Sequence, residues 1–214
     1  MKIGVFDSGV GGESVANAIT KALPEHEVIY VEDKKNVPYG TKTPEQIKTF
    51  VVPILQDLVE RGCKVIVVAC NTVTTTLIED LRAILPVPLI GMEPMVKPAA
   101  EQTKNGVIAV CATPTTLASQ RYHWLKETYA KGVQVLEPDC SNWSSLIEAK
   151  ELDKTHVHEQ IEAVCQAGAD VIVLGCTHYH WIEDIITGEA AGRATIIQPE
   201  QPVIEQLKRV ITTL

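Results

Sequence analysis

The chain has 214 residues, 45% hydrophobic and 21% charged, with a formal net charge of −8. That is enough apolar material for one large domain or two small ones with a real core. No basic run exceeds Lys34-Lys35, so nucleic acid and anionic membrane surfaces are excluded as main partners. No window of 18 apolar residues occurs, so no transmembrane helix is expected. An acidic residue, Asp7, arrives too early for a signal peptide. The six cysteines, at 63, 70, 111, 140, 165 and 176, are widely spaced and form no CxxC. Free thiols in a cytosolic protein are the expectation.

In chain order, the first strand is predicted over 2–6. It is followed by "DSGVGG" (7–12) and an amphipathic helix over 13–23 that stops at Pro24. The glycine-rich turn lacks GxGxxG spacing and opens with an acid. It reads as a tight turn before a helix, with Asp7 placed to handle charge, and not as a dinucleotide site. A second strand over 27–31 precedes a helix over 44–60, whose apolar residues Ile47, Phe50, Val51, Ile54, Leu55 and Leu58 keep helical spacing. Strands over 64–68 and 88–90 flank a helix over 74–85. The later strands are expected over 107–110, 133–136, 170–174 and 194–197, and the later helices over 116–129, 155–167 and 201–212. The strands are short and continuously apolar, as in parallel sheets covered on both faces. The fold class is therefore α/β.

"GCKVIVVACNT" (62–72) is echoed by "GADVIVLGCTH" (168–178) at an offset of 106. The same offset carries "IGVFDSG" (3–9) onto "AVCATPT" (109–115) and "EVIYVED" (27–33) onto "VQVLEPD" (133–139). Two similar open parallel-sheet halves related by pseudo-symmetry follow, with a cleft between them. We expect one half to span 1–95 plus 200–214 and the other 96–199, changing over at "MEPMVKP".

Ligands of open parallel sheets bind beyond the carboxyl ends of the strands. Those positions hold Asp7, Ser8 and Gly9, then Asp33, then Cys70, Asn71 and Thr72. The second half supplies Thr113 and Thr116, then Asp139 and Cys140, then Cys176, Thr177 and His178. Cys70 and Cys176 stand at matching strand tips. Two thiols on opposite faces of one carbon suit stereoinversion, in which one removes a proton and the other returns one to the opposite face. His178, two residues after Cys176, is expected on the same side of an extended segment. The C-x-H-x-H pattern completed by His180 fits no common structural zinc set.

These residues carry a family resemblance. "IGVFDSGVGG" (3–12), "VPYGTK" (37–42), "VVACNT" (67–72), "EP" (93–94), "ATPTT" (112–116), Cys140 with Glu148 eight residues on, and "LGCTHY" (174–179) occur in order. Together they resemble the glutamate racemases of the aspartate/glutamate racemase superfamily. The resemblance implies interconversion of L- and D-glutamate without cofactor or metal, with D-glutamate feeding peptidoglycan synthesis. Cys70 and Cys176 match the two acid–base thiols, and Asp7, His178 and Glu148 match the groups that assist them. Ser8, Tyr39, Gly40, Asn71, Thr72, Thr116 and Thr177 match substrate contacts. The expected partner is a small molecule, glutamate; monomer and homodimer both stay open.

The chain departs from the family pattern at His180, where proline is usual, and ends at Leu214, earlier than typical members. Aspartate racemisation, a glutamate-binding regulatory protein that kept the cleft, and thiol redox or metal chemistry at Cys70, Cys176, His178 and His180 remain as alternatives.

Overall fold

A computed structural model describes all residues, 1–214. The strands are β1 (Lys2–Asp7), β2 (Glu27–Glu32), β3 (Cys63–Val68), β4 (Leu89–Gly91), β5 (Val107–Ala112), β6 (Gln134–Leu136), β7 (Val171–Gly175) and β8 (Thr195–Ile197). The helices are α1 (Gly12–Ala22), α2 (Pro44–Glu60), α3 (Asn71–Ile84), α4 (Val96–Gln102), α5 (Pro114–Leu117), α6 (Gln120–Tyr129), α7 (Trp143–Ala149), α8 (Lys154–Gln166), α9 (Glu183–Ala190) and α10 (Glu200–Ile211). Two 3₁₀ turns, Tyr39–Thr41 and Thr177–Ile182, complete the chain. None of the helices is long and apolar enough to cross a membrane.

The strands form two parallel four-stranded sheets of identical order, β2-β1-β3-β4 and β6-β5-β7-β8. The α/β fold of two like sheets is as expected, and β8 lies 106 residues after β4, the offset read from the repeat. Central β1, β3, β5 and β7 are almost wholly buried, which explains their continuous apolar runs; β2, β6 and β8 are more exposed.

Each sheet carries an apolar cluster on either face. In the first, Phe6, Ile66 and Val68 meet Ile47, Val51 and Leu55 of α2 on one side. Ile3, Val5 and Val67 meet Val15 and Ile19 of α1 on the other. Val203, Ile204 and Leu207 of α10 bury one stripe in that second cluster, beside Ile90 and Met92. In the second sheet, Cys111 and Ile172 face Val157 and Ile161 of α8. Ile108 and Val110 face Val96 of α4 and Tyr122 of α6.

The helix expected over 116–129 is instead two. Thr113 accepts the Thr116 N–H and starts α5, and Ser119 accepts the Tyr122 N–H and starts α6. Each hydroxyl satisfies a donor that a continuous helix would have bonded to its own carbonyl. Helices α4, α7 and α9 have no counterpart among the expected elements; each is of eight residues or fewer, too short for a periodic pattern to stand out.

Candidate active site

In each sheet the chain leaves its first strand toward one edge and returns to the other side. The order reverses between β1 and β3, and between β5 and β7. Strand ends diverge at such a point and leave a crevice for a ligand. Asp7 closes β1, and Ser8 follows it directly; Cys70 lies two residues beyond β3; Thr113 and Cys176 directly follow β5 and β7. The two crevices face one another and enclose a small, tightly closed cavity.

Ser8, Tyr39, Gly40, Cys70, Asn71, Thr72, Glu148, Cys176, Thr177 and His178 all line this cavity, with Thr113 and Ser144. Asp7 and Thr116 stand behind its wall. The fully buried Asp7 carboxylate accepts the Ser8 N–H at 2.8 Å and the Thr177 hydroxyl at 2.9 Å. Thr116 Oγ1 lies 3.2 Å from Thr72 Oγ1 and 3.0 Å from Thr113 Oγ1. Asp33 is buried and anchors the wall by accepting the Tyr39 hydroxyl at 2.6 Å. Asp139, a candidate by its place after a strand, lies at the exposed surface and accepts the Ser141 N–H. The short β6 ends well before it, so the matching of the halves fails at this edge.

Bonds between the halves ring the cavity. They include Asp7–Thr177, Thr72–Thr113, and Glu148 Oε1 accepting the Val10 N–H at 2.9 Å. The Thr115 hydroxyl donates to the Gly40 carbonyl at 2.7 Å. The glycines of the 7–12 loop make this approach feasible. A Cβ on Gly11 would lie 2.5 Å from Thr177 Oγ1 and 2.6 Å from the His178 backbone nitrogen. One on Gly9 would meet the Glu148 carboxylate. These glycines let the two halves pack closely at the cavity rim.

The thiols have different surroundings. Cys70 is at the N-cap of α3, with its sulfur 3.4 Å from the Ser8 hydroxyl. Burial, reinforced by the nearby Asp7 carboxylate, pushes its pKa up to about 12. The Cys176 sulfur lies 3.7 Å from His178 Nδ1, and His178 Nε2 lies 2.7 Å from Glu148 Oε1. Burial opposes an imidazolium here, but the Cys176 and Glu148 partners outweigh it and hold the His178 pKa well above the ordinary value. The His178 hydrogen bond in turn lowers that of Glu148. The 177–182 segment is a 3₁₀ turn and not the extended stretch expected, yet sulfur and ring still meet.

His180 turns away toward α1 of the other half, with Nδ1 3.5 Å from the Ser14 hydroxyl, and does not join a metal-type cluster with Cys176 and His178. Burial, with the charge on His178, pushes its pKa down to about 4. Sequence reasoning misses Ser144, since the helix that presents it is not visible in the residue pattern.

Two like α/β halves closing on a cavity walled by a thiol from each define a protein class, and comparison agrees. Residues 8–207 match the family model for Asp/Glu/Hydantoin racemase, and the chain belongs to that family. It is an isomerase of the amino-acid racemase type.

Among its relatives, the glutamate racemase of Pseudomonas putida is 40% identical over 214 residues, covering 98% of this chain and 81% of that protein. The glutamate racemase of Herpetosiphon aurantiacus is 40% identical over 213 residues, covering 98% and 84%. A crystal structure of Escherichia coli glutamate racemase with L-glutamate and the activator UDP-MurNAc-Ala superposes with a TM-score of 0.86 at 29% identity, covering 99% of this chain and 82% of that one.

Proposed function

We propose that this protein interconverts L- and D-glutamate without a cofactor, using Cys70 and Cys176 as paired acid and base. One observation carries the reading: the two thiols, from equivalent strand ends of the two halves, line one buried cavity. The names of the similar proteins supply the substrate.

Protonation in the resting site is unequal. Cys70, with its pKa raised by burial, is the thiol. Cys176 lies beside an imidazolium that Glu148 holds in place, a setting that favours its action as the base. Cys176 takes the Cα proton from the enantiomer whose C–H bond faces it, and Cys70 delivers its own proton to the other face of the carbanion. Cys176 then carries a proton and Cys70 a charge, the state that runs the reverse reaction. Asp7, bonded to the Thr177 hydroxyl and the Ser8 N–H, stands behind Cys70, and its carboxylate disfavours the Cys70 thiolate. Because an amino-acid Cα–H is a very weak acid, the low-dielectric cavity and preset hydroxyls and amides carry much of the barrier reduction. The free thiols fit a reducing compartment, so we place the protein in the cytoplasm with D-glutamate supplying peptidoglycan synthesis.

The test is racemisation in deuterated water, followed by circular dichroism and mass spectrometry. Solvent deuterium entering Cα of glutamate, and loss of interconversion in Cys70→Ser and Cys176→Ser, are expected. An intact protein that exchanges no dicarboxylic amino acid overturns the reading. L-aspartate, run in parallel, decides between the two substrates.

A further inference from the structure

The polar side chains of the cavity wall divide into two sets. Most are already engaged within the protein: Ser8 with Cys70, Thr72 with Thr113, Thr177 with Asp7, Glu148 with His178, and Tyr39 with Asp33. Two are not. Both amide atoms of the buried Asn71 lack a partner. Ser144, 5% exposed, lines the cavity and makes no side-chain hydrogen bond to the protein. Leaving the buried Asn71 amide without a partner costs about 1–3 kcal/mol, so its retention inside the cavity points to a ligand that satisfies it, and the Ser144 hydroxyl is free to meet the same ligand.

The chemistry of the two free groups is complementary to a dicarboxylic zwitterion. Its ammonium needs an acceptor, and the Asn71 amide oxygen is one. Its carboxylates need donors, and no lysine or arginine lines the cavity. The Asn71 amide nitrogen and the Ser144 hydroxyl are the unengaged side-chain donors. The position of Ser144 is also rigid. It follows Trp143, which is fully buried, donates from Nε1 to His156 Nδ1 at 3.0 Å and packs its ring edge-on against Tyr179 at 5.3 Å. It precedes Glu148 by one helical turn, so both side chains share one face of α7.

We propose that Ser144 is a further substrate-contact residue, donating its hydroxyl to a carboxylate oxygen of the bound amino acid from the second half, as the Asn71 amide does from the first. This assignment rests on the racemase reading and deepens it by naming the residue that recognises a carboxylate.

The test is steady-state kinetics of Ser144→Ala and Ser144→Thr in both directions, with melting temperatures checked. Loss of one hydrogen bond to a charged group is expected to raise KM for glutamate about tenfold. The value of kcat should stay close to wild type, because the contact is made in ground and transition states alike. Ser144→Thr keeps a hydroxyl and should recover most of the lost affinity. Should Ser144→Ala fail to fold, Ser144→Cys, with its weak donor, carries the same expectation of a raised KM. Unchanged KM in a folded Ala or Cys variant, with an active wild type, overturns the Ser144 assignment alone. An inactive wild type that incorporates no deuterium overturns the racemase reading and takes this assignment with it.

Discussion

Glu148 of one half places a single carboxylate oxygen between His178, at 2.7 Å, and the backbone N–H of Val10 in the other half, at 2.9 Å. One atom thus orients the imidazole beside Cys176 and fastens the halves around the cavity. The site chemistry and the closed arrangement are coupled through it.

Glu148→Gln removes the anion that favours the imidazolium, so the His178 pKa falls. The alkaline limb of kcat/KM is therefore expected to move to lower pH, where a pH–rate profile will show it. The Cys70 thiol, with its pKa near 12, does not titrate in that range. In stability the pair contributes fully between the ordinary carboxylate and imidazole values, about 4.3 and about 6.5. The contribution fades as pH falls through the lowered Glu148 pKa or rises through the raised His178 pKa. A limb that stays in place would show that Glu148 does not set the protonation of His178.

His180 gives the opposite sign. Its folded-state pKa, about 4, lies below the unfolded value, so the unfolded chain binds the proton first. Stability from this residue is lost as pH drops below about 6.5 and levels off beneath the folded-state value. His180→Gln should flatten that part of the melting-temperature profile. An unchanged slope between those values would locate the acid sensitivity elsewhere.

Gly11→Ala forces a methyl group against Thr177 and the His178 backbone. Backbone at 2.6 Å cannot yield as a flexible side chain does, so the halves must separate locally. Displacing catalytic groups by about 1 Å costs on the order of 100-fold in rate. A comparable loss of kcat/KM, in a protein that still melts cooperatively, is expected from racemisation assays.

Leu207 is fully buried between α10 and the first sheet. Leu207→Ala should cost about 2–5 kcal/mol in urea unfolding, through lost transfer energy and the cavity left behind. The substitution lies outside the active-site cavity, so kcat in the folded fraction should hold.

Much of this molecule is legible in the residue order. All eight strands appear close to the expected positions, because strands buried on both faces must be continuously apolar and stand out. The Cys70 and Cys176 segments are recognisable as one motif used twice, since identical sheet orders impose the same pattern on both. What the order does not show is anything that depends on how the halves meet. Asp139 matches Asp33 by register, yet one is exposed and the other buried, because β6 is cut short. Their places in the chain group Asp7 and Thr116 with the lining residues, but they support the wall from behind. Ser144 carries no signal, as its seven-residue helix has too few positions for a period.

The sequence by itself determined two parallel sheets and a thiol at equivalent strand ends, since periodicity and repetition are properties of the chain alone. Which hydroxyls are engaged, which amide is left free, and which histidine faces the sulfur were decided only by the closing of one half on the other, since each depends on distances between residues far apart in the chain.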